Sequence, residues 1–219
     1  DLLLSFFARF NYGFKDKYLF TASFRADGSS KFGKNNKWGY FPAFSAAWRL
    51  GEEEFIKNLN IFSDLKVRLG YGMAGNNRID SYVSLPMLTS VTYPNGDSTQ
   101  PGYVSKQIPN PNLKWEANKT FNFGLDFGFF NSRIRGSLDF YWNTTKDLLM
   151  KVPVDSSTGY SYQFQNVGQT SNKGIELALG TDLVRSKDFN LSMNLTYNFN
   201  KNNIDDLDEN TLADTNTGW

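Results

Sequence analysis

Three groups of residues in this 219-residue chain have types and spacings that could do chemistry. Gly70-Tyr71-Gly72-Met73-Ala74-Gly75 fits the GxGxxG spacing of a dinucleotide fingerprint. That motif works only where a helix starts directly after the glycines and offers its N-terminus to pyrophosphate. Here the glycines lie inside an alternating segment that runs on into a long polar stretch, so nucleotide binding is the weaker reading. Asp206, Asp208 and Asn210 have the 1-3-5 spacing of a calcium loop. Thr211 and Thr217 stand where such a loop needs its turn glycine and its bidentate glutamate, so a solvated acidic loop fits better. Asp126 and Asp139 could be a carboxylate pair of the glycosidase kind. They share a chain with Arg25, Arg49, Arg68 and Arg135 on matching faces, and a charge network is the simpler account. No residue is assigned a catalytic role, a metal or a cofactor.

The elements that position these residues are strands. Eight stretches alternate apolar and polar residues: 4–14, 18–26, 38–50, 65–75, 115–130, 133–146, 173–184 and 190–200. Period-two alternation marks a strand with one apolar and one polar face. In 18–26 the apolar set is Tyr18, Phe20, Ala22, Phe24 and Ala26, opposite Thr21, Ser23 and Arg25. In 65–75 Leu65, Val67, Leu69, Tyr71 and Met73 oppose Lys66, Arg68, Gly70, Gly72 and Ala74. A slip of one residue would turn every charge to the apolar side, so the register is strongly specified.

The apolar faces are too aromatic, and recur too often, for one soluble core. Aromatic residues make up 16% of the chain, yet its mean hydropathy is −0.48. No apolar run approaches the roughly 20 residues of a spanning helix. The reading that covers all of this is all-β: part of an antiparallel transmembrane β-barrel, its apolar face on lipid and its polar face on a lumen. The connectors support it by alternating in length. Residues 15–17, 131–132 and 185–189 are short, and 27–37, 76–114 and 147–172 are long, as in barrels with periplasmic turns and external loops. The connector 51–64 is longer than the other short ones and reads as one or two amphipathic helical turns. On this topology Tyr12, Phe14, Tyr18, Trp48 and Phe129 form one aromatic girdle. Trp38, Tyr40, Tyr71, Trp115, Trp142 and Tyr197 form the other.

Two residues strain the scheme. Lys119 falls on the lipid face, where a midplane cation costs about 2–4 kcal/mol; near the strand end it can snorkel to headgroup phosphates. Pro42 cannot donate to a ladder, and a bulge near the rim would absorb the loss. Gly70, Gly72, Gly124, Gly128 and Gly180 all face the lumen, where missing side chains let another backbone approach, as a plug would. The long connectors hold Phe32, Trp38, Tyr82, Tyr93, Tyr103, Tyr160, Tyr162 and Phe164 among polar residues, a composition equally suited to sugar or peptide contact and to loop packing.

Composition excludes whole classes. With 23 basic and 22 acidic residues, nothing points to nucleic acid. Cysteine and histidine are both absent, which removes thiol and disulfide chemistry, imidazole catalysis and most transition-metal sites. A cysteine-free chain also suits export across a periplasm. The chain opens almost directly in a strand and stops without a closing element, and is read as an internal piece of a longer protein.

The run Tyr18–Leu50, YLFTASFRADGSSKFGKNNKWGYFPAFSAAWRL, resembles a hallmark segment of the SusC/RagA family of TonB-dependent outer-membrane transporters. So do LKVRLGYGMAGNN (65–77), NPNLKWEANKTFNFGLDFGFFNSRIRGSLDFYWNTTKDLL (110–149) and NVGQTSNKGIELAL (166–179), in that order. The resemblance implies that 1–219 is part of the barrel domain of the large plugged transporter class, with 22 strands in all. It implies an outer-membrane location, contact with lipid and lipopolysaccharide, and a plug and TonB-contacting segment outside this chain. It also implies a SusD-like surface lipoprotein as lid, and active import of an oligosaccharide or peptide. On that basis Trp38, Tyr93, Tyr103, Tyr160 and Tyr162 are candidates for ligand or lid contact. Arg25, Arg49, Arg68, Gly70, Gly72, Asp126 and Asp139 are candidates for the plug-facing lumen. The rival readings are an ungated porin-type channel and a secreted glycan-binding β-sandwich or adhesin module.

Overall fold

The computed structural model describes residues 1–160 and 162–207. All eight expected strands are present, longer by a few residues at several ends. They are β1 (Leu3–Phe14), β2 (Tyr18–Ser29), β3 (Trp38–Trp48), β4 (Phe62–Asn76), β7 (Glu116–Phe129), β8 (Ile134–Lys146), β11 (Gln169–Arg185) and β12 (Asn190–Asp206). They form one sheet in the order β1-β2-β3-β4-β7-β8-β11-β12, every neighbour antiparallel. The expected faces are the observed ones, except at Met73 and Trp115. Phe20, Phe24, Phe44, Leu69, Phe121, Trp142 and Leu195 stand exposed on one side, with no second layer packed over them among the described residues. A β-sandwich would cover that face with another sheet. Outward aromatics pair across strands instead, Tyr18 with Trp48 at 5.9 Å and Phe24 with Tyr40 at 6.1 Å between ring centroids.

The long connectors are not plain loops. Residues 76–114 contain a hairpin, β5 (Met87–Asn95) with β6 (Ser98–Gln107), and 147–172 contain a second, β9 (Leu149–Pro153) with β10 (Tyr162–Asn166). The turn signal Asn95-Gly96-Asp97 announces the first. Gly96 supplies a φ of 62°, a conformation open to glycine at little cost.

Pro42 does not produce a bulge. The β3–β4 ladder runs from Trp48↔Val67 to Ala43↔Gly72 and stops there, next to the residue with no N–H. Beyond that point Phe41 turns inward. Its ring occupies the space that a side chain at Gly75 or Gly39 would need. Trp115 also departs from its expected place in the outer girdle. It precedes β7, is 8% exposed, and packs on Phe41 and Phe32 at 5.5 and 5.2 Å. Its Nε1–H donates to the Lys37 carbonyl at 3.0 Å. Met73, outward by parity, follows the end of the β3–β4 ladder and packs against the same core.

At the opposite rim the connector after β3 forms a 3-10 turn over Leu50–Glu52 and a short helix, α1 (Glu54–Lys57), as expected for 51–64. Glu53 ties this rim together. Its carboxylate accepts from Lys17 Nζ at 2.9 Å, Tyr18 Oη at 2.8 Å and Trp48 Nε1 at 3.1 Å. These three donors hold the Glu53 carboxyl down at about 2, with Lys17 the largest cause. A carboxyl depressed in the fold stabilises above its ordinary value, and that contribution is lost as pH falls toward the folded value. Glu53→Gln is therefore expected to lower thermal stability at neutral pH. The gap to wild type should close progressively from about pH 4.5 down to about 2, as read by unfolding curves of the full-length protein.

The turn Phe14-Lys15-Asp16-Lys17 closes with Lys17 N–H donating to the Phe14 carbonyl at 3.1 Å, and its central residues have φ of 52° and 53°. Positive φ at both central positions defines a type I′ turn, for which Asn-Gly is the favoured pair. Lys15→Asn with Asp16→Gly is expected to stabilise the β1–β2 hairpin by about 1 kcal/mol in denaturant titrations.

Candidate functional site

The inward face and the canopy over its outer mouth are the candidate site. In mid-sheet, β4, β7 and β8 bring one arginine against two carboxylates. Arg68 Nε and Nη2 donate to the Asp126 oxygens at 2.9 and 2.7 Å, and Nη2 also donates to Asp139 at 2.8 Å. Lys66 Nζ lies 2.8 Å from Asp126. Planar guanidinium matched to a carboxylate on two bonds is the geometry that arginine favours over lysine. Both carboxylates share one cation, which is the charge-network arrangement; neither is set apart as an acid or base. A side chain at Gly124 would collide with Arg68 and Asp139, so this glycine leaves room for the guanidinium.

The other inward glycines divide in the same way. Gly128 lies against Ser63 and Asp64, and Gly180 against Asn194 and Arg135. Gly70 and Gly72 meet only the Cβ atoms of Asn122 and Ala43, at 3.8 and 3.5 Å. Around them lies a shallow depression of about 320 Å³ lined by Arg9, Thr21, Ser23, Ser45, Thr120 and Asn122 among others. Hydroxyls, the Asn122 amide and Arg9 supply its polar groups beside apolar atoms of residues such as Ala43, and no bulky side chain stands at its centre.

The remaining sequence candidates fall elsewhere. Arg25 sits near the outer mouth, 2.6 Å from Asp27, whose side chain is wholly buried. Asp27 Oδ1 has no partner among the described residues. Arg49 lies past the end of β3 and donates to the Asp16 carbonyl and to Glu52, at the rim of short turns. Trp38 stands on the outward face, stacked on Phe6 at 6.0 Å. Tyr93 and Tyr103 project from the β5–β6 hairpin, 50% and 74% exposed. Tyr162 packs edge-on against Phe164, with Lys151 Nζ 4.9 Å from its ring centre. Tyr160 lies in the loop before β10, its N–H donating to Thr158. Of the 1-3-5 acidic motif, Asp208, Asn210, Thr211 and Thr217 lie outside the described residues.

Sequence reasoning missed the canopy. Phe32, Phe41, Ile79, Val83, Leu113 and Trp115 make a buried core drawn from two connectors and β3, with Leu149 and Phe164 from the β8–β11 segment packed against it. Polar side chains stitch it. Gln107 Nε2 donates to the carbonyls of Tyr82, Val83 and Leu85. Asn166 bridges to Lys114, accepting from its N–H and donating to its carbonyl, both at 2.8 Å. Asn110 Nδ2 donates to the Phe164 carbonyl at 2.8 Å. Phe32, Ile79, Leu113 and Trp115 each stand between polar or glycine neighbours along the chain, so no local period reveals them.

The chain matches the profile described as TonB dependent receptor-like, beta-barrel, over residues 3–218. It is 43% identical over 212 residues to the TonB-dependent receptor SusC of Bacteroides thetaiotaomicron, covering 92% of this chain and 21% of that protein. TonB-dependent receptor P26 of Formosa agariphila is 40% identical over 205 residues, covering 94% of this chain and 21% of that protein. Among solved structures, the RagAB peptide transporter superposes with a TM-score of 0.83 at 37% identity, over 94% of this chain and 22% of that one. The siderophore receptor PirA of Pseudomonas aeruginosa, at 17% identity and a TM-score of 0.56, shares the fold. Fold and inward face together define a portion of an outer-membrane β-barrel. The chain belongs to the TonB-dependent receptor β-barrel family, and it spans about a fifth of the length of the SusC-like relatives it matches.

Two substitutions test these contacts. Arg68→Ala leaves Asp126 and Asp139 without their shared cation and is expected to destabilise the barrel by about 2 kcal/mol. Trp115→Ala empties the canopy core. Its cost of about 3–5 kcal/mol should appear as faster proteolysis within 77–115 while barrel heat-resistance is kept, because the β3–β4 ladder ends before that core.

Proposed function

We propose that this chain is the mid-barrel wall of a TonB-dependent importer, a transporter and not an enzyme. The observation that carries this reading is the open, hydroxyl- and amide-lined depression around Gly70 and Gly72 on the inward face of the barrel sheet. Such a surface suits the backbone of a folded plug. The charge cluster of Arg68, Asp126 and Asp139 offers that plug polar partners on the same face, and the Arg25–Asp27 pair does so nearer the mouth. The plug lies in another part of the full-length protein and contacts TonB, which draws on the inner-membrane proton gradient.

At the outer side, the canopy gives the β5–β6 hairpin a fixed base, from which Tyr93 and Tyr103 project. Tyr160 and Tyr162 sit on the neighbouring connector. These four tyrosines are the candidates for contact with a SusD-like lipoprotein lid and with an oligosaccharide or peptide substrate. The similarity to RagAB, described as a peptide importer, supports the peptide alternative. Trp38 does not join them, because it stands on the outward face.

The test uses the full-length protein in its outer membrane. Gly70→Trp with Gly72→Trp is expected to abolish energy-dependent uptake and to open an ion leak in planar bilayers, while the wild type stays closed. A wild type that conducts freely, with uptake insensitive to collapse of the proton gradient, would establish the porin alternative.

A further inference from the structure

Toward the outer mouth, register aligns the inward residues of β7, β8, β11 and β12 in ranks. Thr120 faces Asn143, Asn143 faces Asn172, and Asn172 faces Asn202. One rank up, Thr145 faces Thr170; one rank down, Tyr141 faces Gly174. A side chain at Gly174 would collide with the Tyr141 hydroxyl and ring, so the ring lies across that strand, next to the asparagines. Along these ranks runs a cavity of about 460 Å³, lined by Asn143, Thr145, Thr170, Asn172, Asn202 and Ile204 among others. Its volume falls in the range of small-ligand sites.

This chamber carries no charge. The inward residues from Asn118 to Asn122 on β7, Tyr141 to Thr145 on β8, Thr170 to Gly174 on β11 and Asn200 to Ile204 on β12 are all neutral. Charge begins one rank lower, where Asp139 faces Glu176. Glu116, at the upper edge, has both oxygens engaged, by Asn76 Nδ2 at 2.9 Å and the Leu149 N–H at 3.1 Å. Two polar atoms of the chamber are unanswered. Asn143 Oδ1 and Asn172 Oδ1 are shut from water and have no hydrogen-bond partner among the described residues. A buried acceptor without a donor is costly, and these two belong to facing residues of one ladder. The donors they lack come from outside the wall.

We infer that Asn143, Asn172 and Asn202, with the Tyr141 ring, form a subsite of the barrel wall for one uncharged sugar ring, and that it restricts this chain's ligand to neutral oligosaccharide. A sugar hydroxyl both donates and accepts, and an asparagine amide answers it with its oxygen and its NH2 group. The C–H face of the sugar packs on the aromatic face of Tyr141. A peptide also offers N–H donors, but its charged termini and side chains meet no counter-charge here. Burying an unpaired charge costs far more than burying a hydroxyl that finds partners. Carboxylated and sulfated glycans are rejected for the same reason. As a specificity device the subsite rests on the importer reading above; as a binding site it stands on the wall alone.

The test is binding of the full-length protein, in mild detergent, to an array of neutral oligosaccharides of glucose, galactose, mannose, fructose and xylose. The array also carries their uronate and sulfated counterparts and unblocked tetrapeptides. At least one neutral oligosaccharide is expected to bind, and its acidic counterparts and the peptides are expected not to. Asn143→Ala with Asn172→Ala should weaken that binding about thirtyfold, and Tyr141→Leu about tenfold. Asn194→Ala, about 26 Å down β12 from Asn202, should bind as wild type does. Heat-shifted electrophoretic mobility verifies that each variant folds. Preference for acidic glycans or peptides would overturn the subsite. So would failure of every neutral oligosaccharide to bind, or undiminished affinity in the folded asparagine double variant. Uptake by whole cells separates the two readings. Uptake of peptides alone, dependent on the proton gradient, sinks the subsite and leaves the importer. Entry of the bound oligosaccharide without the gradient sinks the importer and leaves the subsite.

Discussion

The structure depends on the need to satisfy every backbone N–H and C=O without water. In hydrocarbon an unsatisfied group costs several kcal/mol, so only helices and closed strand ladders can cross. This chain has no helix long and apolar enough among its described residues, and it crosses with strands. Eight consecutive antiparallel strands meet the requirement for each neighbour pair, leaving β1 and β12 as edges for the adjoining parts of a larger barrel. Alternation follows from the same constraint. Once the backbone is committed to a ladder, side chains can answer the two environments only by parity.

Where that constraint relaxes, the architecture changes. The β3–β4 ladder ends at Ala43↔Gly72, beside Pro42, and past this point the chain has left the region that demands continuous pairing. The released side chain of Phe41 then joins Trp115, Phe32 and Leu113 in a small water-soluble kind of core. One molecule thus holds two solvent regimes. Apolar residues of the strands face outward to lipid, and apolar residues of the connectors face inward, away from water. At the rim opposite this core the Glu53 clamp on Lys17, Tyr18 and Trp48 closes the sheet with polar bonds instead.

The inward face is polar without being open everywhere. Arg68 draws Asp126 and Asp139 together and fills the space left by Gly124. Gly70 and Gly72 keep their space empty. Glycines that look equivalent along the chain therefore serve different ends: some accommodate a neighbour in the sheet and others leave a surface for something outside it. Only the positions of neighbouring side chains distinguish the two.

The chain's own pattern determined the strands, their sidedness, the alternation of connector lengths and the resemblance to SusC-like barrels, because parity is a local property written in each segment. It also held a turn signal at Asn95-Gly96, although 76–114 reads as a long connector without a hairpin when taken segment by segment. Tertiary structure alone decided that Trp115 turns inward, that Pro42 ends a ladder where a bulge was expected, and that Arg49 sits at the rim. It alone joined Asn110, Asn166, Gln107 and Leu113 across connectors far apart in sequence. Those contacts pair residues from different segments, and a one-dimensional period carries no information about which segments meet.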